Sequence, residues 1–457
     1  MAESQIRMTE GSISKSIIKF AVPLFLGNLF QQLYNTADSL IVSNKIGAVA
    51  LGAVSATSML IFLLIGFFQG LSLGAGVLIS QFFGAGDVRN MRRAIHTSLL
   101  FSVFAGVVLS VAGVFLSPLL LKWMGTPESL FSGALEYIQV YFMGALSMVM
   151  YNACMSIMQA LGDSKHPLYY LIISSITNVV LDLFFIVVCG FGVWSAALAT
   201  VISQFLSVFL CLVRLMRAKD DSRVSIKELK FDFRMLMMIM RFGLPSAVQN
   251  SIIAFANVVV QSNINYFGDM AVAGCGAYSK IEGFAFLPIT SFTAAISTFV
   301  GQNVGARNYD RARKGARFGI GVSMALAEVI GVLFFLTAPL LIMAFTRDTD
   351  AIGFGVDKAR VCSLFYCLLA ASHCFSAVLR GAGKAMVPMI TMLSFWCVVR
   401  VGFLWVMVPL TENIAVVNWV YPLTWSLSTI ALLIYYLNAN WLGDKKKPLC
   451  DKGYISS

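Results

Sequence analysis

The sequence predicts an all-α membrane protein in which twelve transmembrane helices form two parallel six-helix repeats, an N-lobe and a C-lobe, around a central cavity. Three observations predict this fold class: 58% of the 457 residues are hydrophobic, only 12% are charged, and the two halves share residues at a near-constant offset. A soluble domain has about 45–50% apolar and about 25% charged residues. At about 20 apolar residues for each span, twelve spans with short loops use nearly the whole chain.

Hydrophobic runs bounded by glycine, proline and charged residues place the individual spans. In the first half they lie near residues 17–43, 51–82, 94–121, 132–160, 166–188 and 193–216. In the second half they lie near residues 236–267, 271–302, 315–345, 359–380, 386–410 and 416–442. The longest runs are expected to be tilted or kinked helices, because they exceed the length needed to cross the hydrocarbon core.

The longest polar segment runs from Ala218 to Arg234 and separates the two sets of spans. We therefore predict three regions. An N-terminal six-helix lobe covers residues 1–217, a cytoplasmic connector covers 218–235, and a C-terminal six-helix lobe with a short basic tail covers 236–457.

The basic residues predict how the chain is oriented. The net charge is +11, from 33 Lys and Arg against 22 Asp and Glu. With a cytoplasmic N-terminus, nearly all Lys and Arg fall in cytoplasmic segments, and the outer loops hold only Lys45, Lys122, Arg347, Lys358 and Arg360. Because basic residues concentrate in the cytoplasmic loops of membrane proteins, both termini are predicted to be cytoplasmic. The same rule accounts for the positive charge without nucleic acid as a partner.

The two halves repeat a spaced set of residues. Three residues at the head of the first half recur at an offset of 222: Phe20, Pro23 and Asn28 match Phe242, Pro245 and Asn250. Four residues near the end of the second span recur at an offset of 221: Gln81, Gly84, Ala85 and Arg92 match Gln302, Gly305, Ala306 and Arg313. Six spans in each repeat keep the two copies parallel, which is typical of carriers that alternate access around a central cavity.

Polar residues inside the first lobe are candidates for function. A charge at bilayer depth costs about 2.5–3.5 kcal/mol or more, so each carboxylate within a span is a candidate for a functional role. Gln31, Tyr34 and Asp38 share one face of the first span, and Asn178 and Asp182 share one face of the fifth. An oxygen-rich carboxylate pair suits a hard cation or a transported proton. The alternative is that each Asp only ties helices together through hydrogen bonds.

The second lobe contains further polar residues in its predicted spans. Glu282 is close in sequence to Lys280, and Arg400 could reach it, although Lys280 and Glu282 do not share a helix face. Contact with a substrate or gate and a structural ion pair are both open for these three residues. The roles of Glu328 and His373 are also open.

Motifs of the common enzyme classes do not occur in the sequence. The segment from Gly381 to Lys384 resembles the end of a phosphate-binding loop, but the first glycine is missing and Ala385 follows the lysine. No H-E-x-x-H motif occurs, and no G-x-S-x-G or G-x-G-x-x-G motif follows a predicted strand, where an enzyme would need it; Gly70-Leu-Ser-Leu-Gly74 lies inside a predicted span. We therefore expect a protein that is not an enzyme, has no bound cofactor and takes its energy from an ion gradient.

The repeated motifs carry a family resemblance. They are the segments Phe20-Ala-Val-Pro23 and Phe242-Gly-Leu-Pro245, and Gln81-Phe-Phe-Gly-Ala85 and Gln302-Asn-Val-Gly-Ala306. From about Ser12 to Trp441 the chain resembles the prokaryotic multidrug and toxic compound extrusion (MATE) transporters. The resemblance implies efflux of bulky, often cationic and aromatic small molecules in exchange for H+ or Na+. It also implies a monomer in contact with membrane lipids, in the cytoplasmic membrane of a bacterium or archaeon.

The resemblance also implies a cation site in the first lobe. Its members would be Tyr34, Asp38, Asn178, Asp182 and Thr200, with Na+ held at the last four if sodium is the coupling ion. Many relatives carry an additional carboxylate on the seventh span, whereas no Asp or Glu occurs between Phe242 and Phe267. Coupling is therefore expected in the first lobe.

One alternative function is a flippase for a lipid-linked precursor, and another is an intramembrane enzyme or structural protein. A flippase for pyrophosphate head groups should line its cavity with several Arg or Lys. Only Lys280 and Arg400 are predicted deep within spans, both in one half, which argues against that function. The choice between H+ and Na+, the substrate and the stoichiometry are not determined by the sequence.

Overall fold

The computed structural model describes residues 6–46, 48–218 and 221–442, and within these residues it contains helices but no β-strand. Ten helices are each long and apolar enough to cross a membrane, and two bent helix pairs bring the number of spans to twelve. The predicted all-α architecture with twelve spans is confirmed.

The first six spans are α1 (Ile13–Lys45), α2 (Ala48–Ala85), α3 (Val88–Trp123), α4a (Glu128–Met143) with α4b (Ala145–Ala160), α5 (Lys165–Val188) and α6 (Trp194–Met216). The second six are α7 (Phe233–Asn265), α8 (Asp269–Gly305), α9 (Tyr309–Met343), α10a (Thr349–Ser363) with α10b (Tyr366–Gly381), α11 (Met386–Thr411) and α12 (Ala415–Asn438). Aspartates cap three of these helices: the Asp87, Asp232 and Asp348 side chains accept bonds from backbone amides of the first turns of α3, α7 and α10a.

The fourth and tenth spans are bent, where the sequence predicted one continuous run each. The bend between α4a and α4b is 50° and lies at Gly144, and the bend between α10a and α10b is 54° and lies at Leu364 and Phe365. Phe365 matches Gly144 at the offset of 221, so the bend belongs to the repeat. The tenth span also begins at Thr349 instead of near residue 359, because the charged residues of α10a interrupt its hydropathy.

Asparagine side chains join the two lobes through a repeated pair of contacts. The Asn28 side chain of α1 donates to Thr290 Oγ1 and Ser291 Oγ of α8 at 3.3 and 3.2 Å. Its repeat partner, Asn250 of α7, donates to the Gly66 carbonyl of α2 at 3.1 Å. The first helix of each lobe is therefore bonded to the second helix of the other lobe.

The repeated Gln-x-x-Gly motifs meet each other across the same interface. Gln81 Nε2 donates to the Gly381 carbonyl and Gln302 Nε2 donates to the Ala160 carbonyl, both at 2.9 Å. At Gly84, an added Cβ would lie 1.9 Å from the Gln302 carbonyl oxygen, and at Gly305 it would lie 1.9 Å from the Gln81 carbonyl oxygen. Only glycine permits this approach, so the lobes are in backbone contact at the end of the bundle that the charge count predicts to be cytoplasmic.

The segment before α1, residues 6–12, docks on the opposite lobe. The Met8 side chain is fully buried, its amide donates to Gln302 Oε1 at 3.0 Å, and its carbonyl accepts from Asn303 Nδ2 at 3.0 Å. The Arg311 guanidinium of α9 donates to the carbonyls of Met8, Glu10 and Gly11. We call this segment the first leader.

The described residues before α7, residues 221–232, dock in the corresponding way on the first lobe. Arg92 Nε of α3 donates to the Asp221 carbonyl at 2.9 Å, and Arg93 lies 3.8 Å from the Asp232 carboxylate. The Asp232 amide donates to Thr97 Oγ1 at 3.4 Å. This second leader and the first leader are therefore exchanged between the lobes.

We predict that Gly84→Val and Gly305→Val force the lobes apart where these two glycines contact the opposite lobe. Since carbon and oxygen atoms in contact lie about 3.5 Å apart, the helix ends must separate by about 1.5 Å or more. Double electron–electron resonance between spin labels at Lys165 and Lys384 should show longer and broader distances than in the wild type. Gly321→Val in α9 is the control, because a Cβ there meets nothing within 4 Å. An unchanged distance distribution in both variants would contradict the close approach.

Candidate functional site

The five polar residues predicted in the first lobe lie together where α1, α5 and α6 pack against one another. The carboxyl groups of Asp38 and Asp182 are neighbours that interact electrostatically. Asn178 Nδ2 donates to Thr200 Oγ1 at 3.3 Å. The Tyr34 hydroxyl lies beside this group, near both carboxylates. The first and fifth spans are therefore in contact, as a shared site requires.

Several oxygen atoms of this group have no hydrogen-bond donor among the described residues. They are both carboxylate oxygens of Asp182, Oδ1 of Asp38 and Oδ1 of Asn178. Asp182 is 0% exposed and Asn178 is 1% exposed, so water does not reach their acceptors in this conformation. A buried acceptor without a donor is costly, and a cation or a shared proton would satisfy it. The donor set therefore fits H+ or Na+.

Two further residues complete the site and were not predicted. Gln204 is buried one turn after Thr200 on α6, with its Oε1 atom unpartnered among the described residues, and its side chain lies beside Tyr34. Tyr137 of α4a is 6% exposed and interacts electrostatically with both carboxylates. The i, i+4 spacing of Thr200 and Gln204 could have identified Gln204, whereas nothing near Tyr137 in the sequence points to the site. Gln31, a predicted substrate or gate residue, lies beside the Tyr34 hydroxyl.

In the second lobe, the structure separates Lys280 from Glu282. The Lys280 side chain is exposed. Gly283, one turn later in α8, lies close to α1, because a Cβ added there would lie 3.6 Å from the Gln32 side chain. Glu282 is partly buried on another side of α8 and accepts from the Tyr278 hydroxyl at 3.0 Å. The ion pairs within 4 Å in the described part of the chain include neither residue.

Arg400 lies in the interior of the second lobe and is 1% exposed. Its Nη2 atom donates to Thr424 Oγ1 at 2.9 Å and its Nη1 atom to Asn257 Oδ1 at 3.4 Å. The guanidinium stacks near the rings of Trp396 and Tyr421, 5.0 and 4.8 Å from their centroids. Arg400 and Glu282 belong to one electrostatic cluster.

Lys358 was predicted in an outer loop, and that prediction is wrong. Lys358 lies in α10a and is 2% exposed, with its Nζ atom 5.5 Å from the Tyr278 ring centroid and 5.1 Å from that of Tyr421. It falls on the buried stripe of α10a formed with Ala351, Gly355 and Cys362. This helical spacing was the available signal, but the charges of α10a obscured it.

Glu328 and His373 have contacts that fit packing roles. Glu328 Oε2 accepts from the Cys367 amide at 3.1 Å, next to the bend of the tenth span. Such a bend frees backbone groups that need partners inside a membrane. The His373 ring packs edge to face against Phe286 and Trp396, with centroids 5.0 and 5.4 Å away.

Comparison with known proteins supplies the relatives of this chain. The family model described as MatE matches twice, over residues 23–184 and 245–406. The matches begin at Pro23 and Pro245, the prolines of the internal repeat. Together they cover more than half of the chain.

Individual relatives extend along most of the chain. The probable multidrug resistance protein YoeA of Bacillus subtilis (strain 168) is 28% identical over 440 residues, which is 94% of this chain and 95% of that protein. The FAD transporter of Shewanella oneidensis is 22% identical over 351 residues, 74% of this chain and 76% of that protein. A solved structure described as the outward-facing conformation of a multidrug resistance MATE family transporter superposes with a TM-score of 0.88 at 24% identity, covering 96% of this chain and 97% of that one.

We predict that a cation at the first-lobe site stabilises the folded protein. A ligand that binds only the folded state raises its stability by mass action. In detergent, the melting temperature of the wild type should rise by a few degrees on adding Na+ at alkaline pH, or on acidification without Na+, depending on which ion is bound. Asp182→Asn should lose this response, since the new amide can itself donate to Asp38. A wild type whose melting temperature follows neither ion would contradict the fit.

Proposed function

The chain belongs to the MatE family, and we propose that it exports bulky cationic or aromatic compounds by antiport with H+ or Na+. It is a multi-pass membrane transporter and not an enzyme. Relatives are named for multidrug resistance and for FAD transport, so the choice of substrate and ion depends on this chain's own residues.

One observation carries the proposal of ion coupling: Asp182 is 0% exposed with both oxygens lacking a donor among the described residues, and it faces Asp38. Two adjacent carboxylates at bilayer depth are unfavourable unless a proton or metal cation is shared between them. Loading and release of that cation can therefore drive a change in conformation, since the two conformations would differ in affinity for it.

Helix α1 links the proposed coupling site to the other lobe. It carries Tyr34 and Asp38 at the site and Asn28 at the bond to α8. Pro23 within α1 removes a backbone donor and allows the helix to bend. A change in the charge at Asp38 would therefore act on the same helix that holds the lobes together.

The flippase alternative requires basic residues along a cavity. Lys358 and Arg400 are both buried, but both belong to the second lobe, whereas the first lobe has the acidic pair Asp38 and Asp182. An acidic pair in the first lobe, with buried basic residues confined to the second, fits an ion antiporter better than a carrier of pyrophosphate. We therefore keep efflux as the proposed function. The protein would lie in a cytoplasmic membrane with both termini on the cytoplasmic side.

We expect Asp38→Asn and Asp182→Asn to abolish gradient-driven efflux while leaving the protein folded, because each removes a charge needed for coupling and adds no burial cost. The double variant should be little worse than either single variant, since residues acting as one unit are not additive. Proteoliposomes with a fluorescent cation and independently imposed pH and sodium gradients provide the measurement, and they also identify the ion.

The matched control for these variants is Asp310→Asn, which neutralises a carboxylate that is 94% exposed. It should transport like the wild type. Wild-type rates in a well-expressed Asp38→Asn protein would rule out the proposed coupling site.

We also expect one coupling ion in each cycle, because Asn178 and Thr200 add neutral ligands that favour holding a single cation at the carboxylate pair. Exchange of one H+ for a monovalent cation moves no net charge and is driven by about 1.4 kcal/mol per pH unit. Exchange of two would add about 2.3 kcal/mol per 100 mV of membrane potential. A potassium-diffusion potential without pH or sodium gradients should then drive no uptake of a monovalent cation into vesicles. A robust flux that Asp38→Asn inhibits would refute the single-ion cycle.

A further inference from the structure

The second lobe contains a charged cluster that the proposed ion coupling does not use. It consists of Lys358, Arg400 and Glu282, enclosed by the rings of Tyr278 and Tyr421, and we call it the C-lobe cage. Lys358 Nζ and the Arg400 guanidinium carbon both lie near the Tyr421 ring, 5.1 and 4.8 Å from its centroid. Two basic groups are thus held around one ring in the interior of the lobe.

The C-lobe cage has an excess of positive charge. It holds two cations and one carboxylate, and in the described part of the chain no carboxylate lies within 4 Å of either Lys358 or Arg400. The Nε donor of Arg400 has no acceptor among the described residues, although Arg400 is 1% exposed. Aromatic faces stabilise such cations only in part. One further negative charge with oxygen acceptors would complete the cage.

The cage occupies the repeat position of the acidic site in the first lobe. Lys358 matches Tyr137 at the offset of 221, and Arg400 matches Asn178 at the offset of 222. The bond from Arg400 to Thr424 at 2.9 Å corresponds to the bond from Asn178 to Thr200 at 3.3 Å. The same place in the two lobes therefore has opposite charge.

One residue joins the cage to the face of α7 that is directed between the lobes. Asn257, which holds Arg400 Nη1, is exposed and shares a face of α7 with Asn250. Asn250 contacts Gly66 of the opposite lobe, so this face is directed between the lobes. Asn257 therefore lies between Arg400 of the cage and the space between the lobes.

We propose that the C-lobe cage binds a monoanionic oxyanion group, such as a carboxylate or sulfonate, of an aromatic substrate, which makes zwitterionic aromatic compounds preferred cargo. This inference rests on the proposed function, because it names the substrate class of the same transporter. A guanidinium whose Nε donor has no acceptor in the described part of the chain, a nearby ammonium and flanking rings together match an oxyanion attached to an aromatic body. A monoanion balances the single excess charge.

The test compares rhodamine 110, which carries a free carboxylate, with rhodamine 123, its methyl ester. Equilibrium binding of both dyes to the full-length protein in detergent is measured by fluorescence. The wild type should bind the acid at least about tenfold more tightly than the ester. Lys358→Met and Arg400→Gln should remove this preference, leaving ester binding within about twofold of the wild type.

Variants that change the net charge of the C-lobe cage distinguish oxyanion binding from a structural role. Glu282→Gln should tighten binding of the acid, and the double variant Lys358→Met/Glu282→Gln should recover much of the affinity that Lys358→Met loses, since it restores the net charge of the cage. Lys314→Met removes an exposed lysine of α9 in the same lobe and should leave the preference unchanged. Ester binding serves in every variant as the check for a folded protein.

Equal loss of acid and ester in the cage variants, or no recovery in the double variant, would overturn the inference in favour of a packing role. A wild type that binds the ester but not the acid would also overturn it, while ion-driven efflux of the ester would leave the proposed function standing. Conversely, a charge-dependent preference for the acid without ion-driven transport would support the cage and refute the antiport proposal.

Discussion

A membrane-buried carboxylate that has no hydrogen-bond donor among the described residues is the constraint on which the rest of this structure depends. Asp182 is 0% exposed and faces Asp38, and its oxygens need a positive partner. The surrounding groups follow from that need: Tyr34 lies beside the pair, and Asn178 and Thr200 are bonded to each other next to it. Because charge is expensive at this depth, the site is stable only with a cation bound or with access to one. Under the proposed ion coupling, alternation between those conditions would drive transport.

The internal repeat keeps backbone geometry while it changes the chemistry. One offset of 221 relates the bend at Gly144 to the bend at Phe365. The same offset relates the interlobe hydrogen bonds of Gln81 and Gln302. At that offset, Tyr137 in one lobe corresponds to Lys358 in the other. Matching positions in the two lobes thus hold an acidic pair in one lobe and two basic residues in the other, and a molecule with charges at both ends would be attracted to both.

Much of the architecture could be predicted from the sequence because it depends on local composition. Hydropathy gives the number of spans, and the i, i+4 spacing of Asn178 and Asp182 gives a shared helix face. Contacts between helices that are distant in sequence leave no local pattern. The contact of α1 with α5 and the position of Tyr137 beside the carboxylates could therefore not be predicted. The burial of Lys358 was not predicted for a different reason. Averaged hydropathy assigns a helix with a single buried stripe to a loop. Only the spacing of the buried residues of α10a would have placed Lys358 in the protein interior.

The exchanged leaders have a consequence for the origin of the chain. Met8, before the first repeat, is bonded to Gln302 and Asn303 of the second, and Asp232, before the second repeat, is bonded to Thr97 of the first. Each repeat thus gives its leading segment to its neighbour and receives the neighbour's in return, which is the arrangement of a domain-swapped homodimer. An ancestral six-helix polypeptide could pair with a second copy of itself in this manner before gene fusion joined the two, and the fusion would have needed no new contact between them.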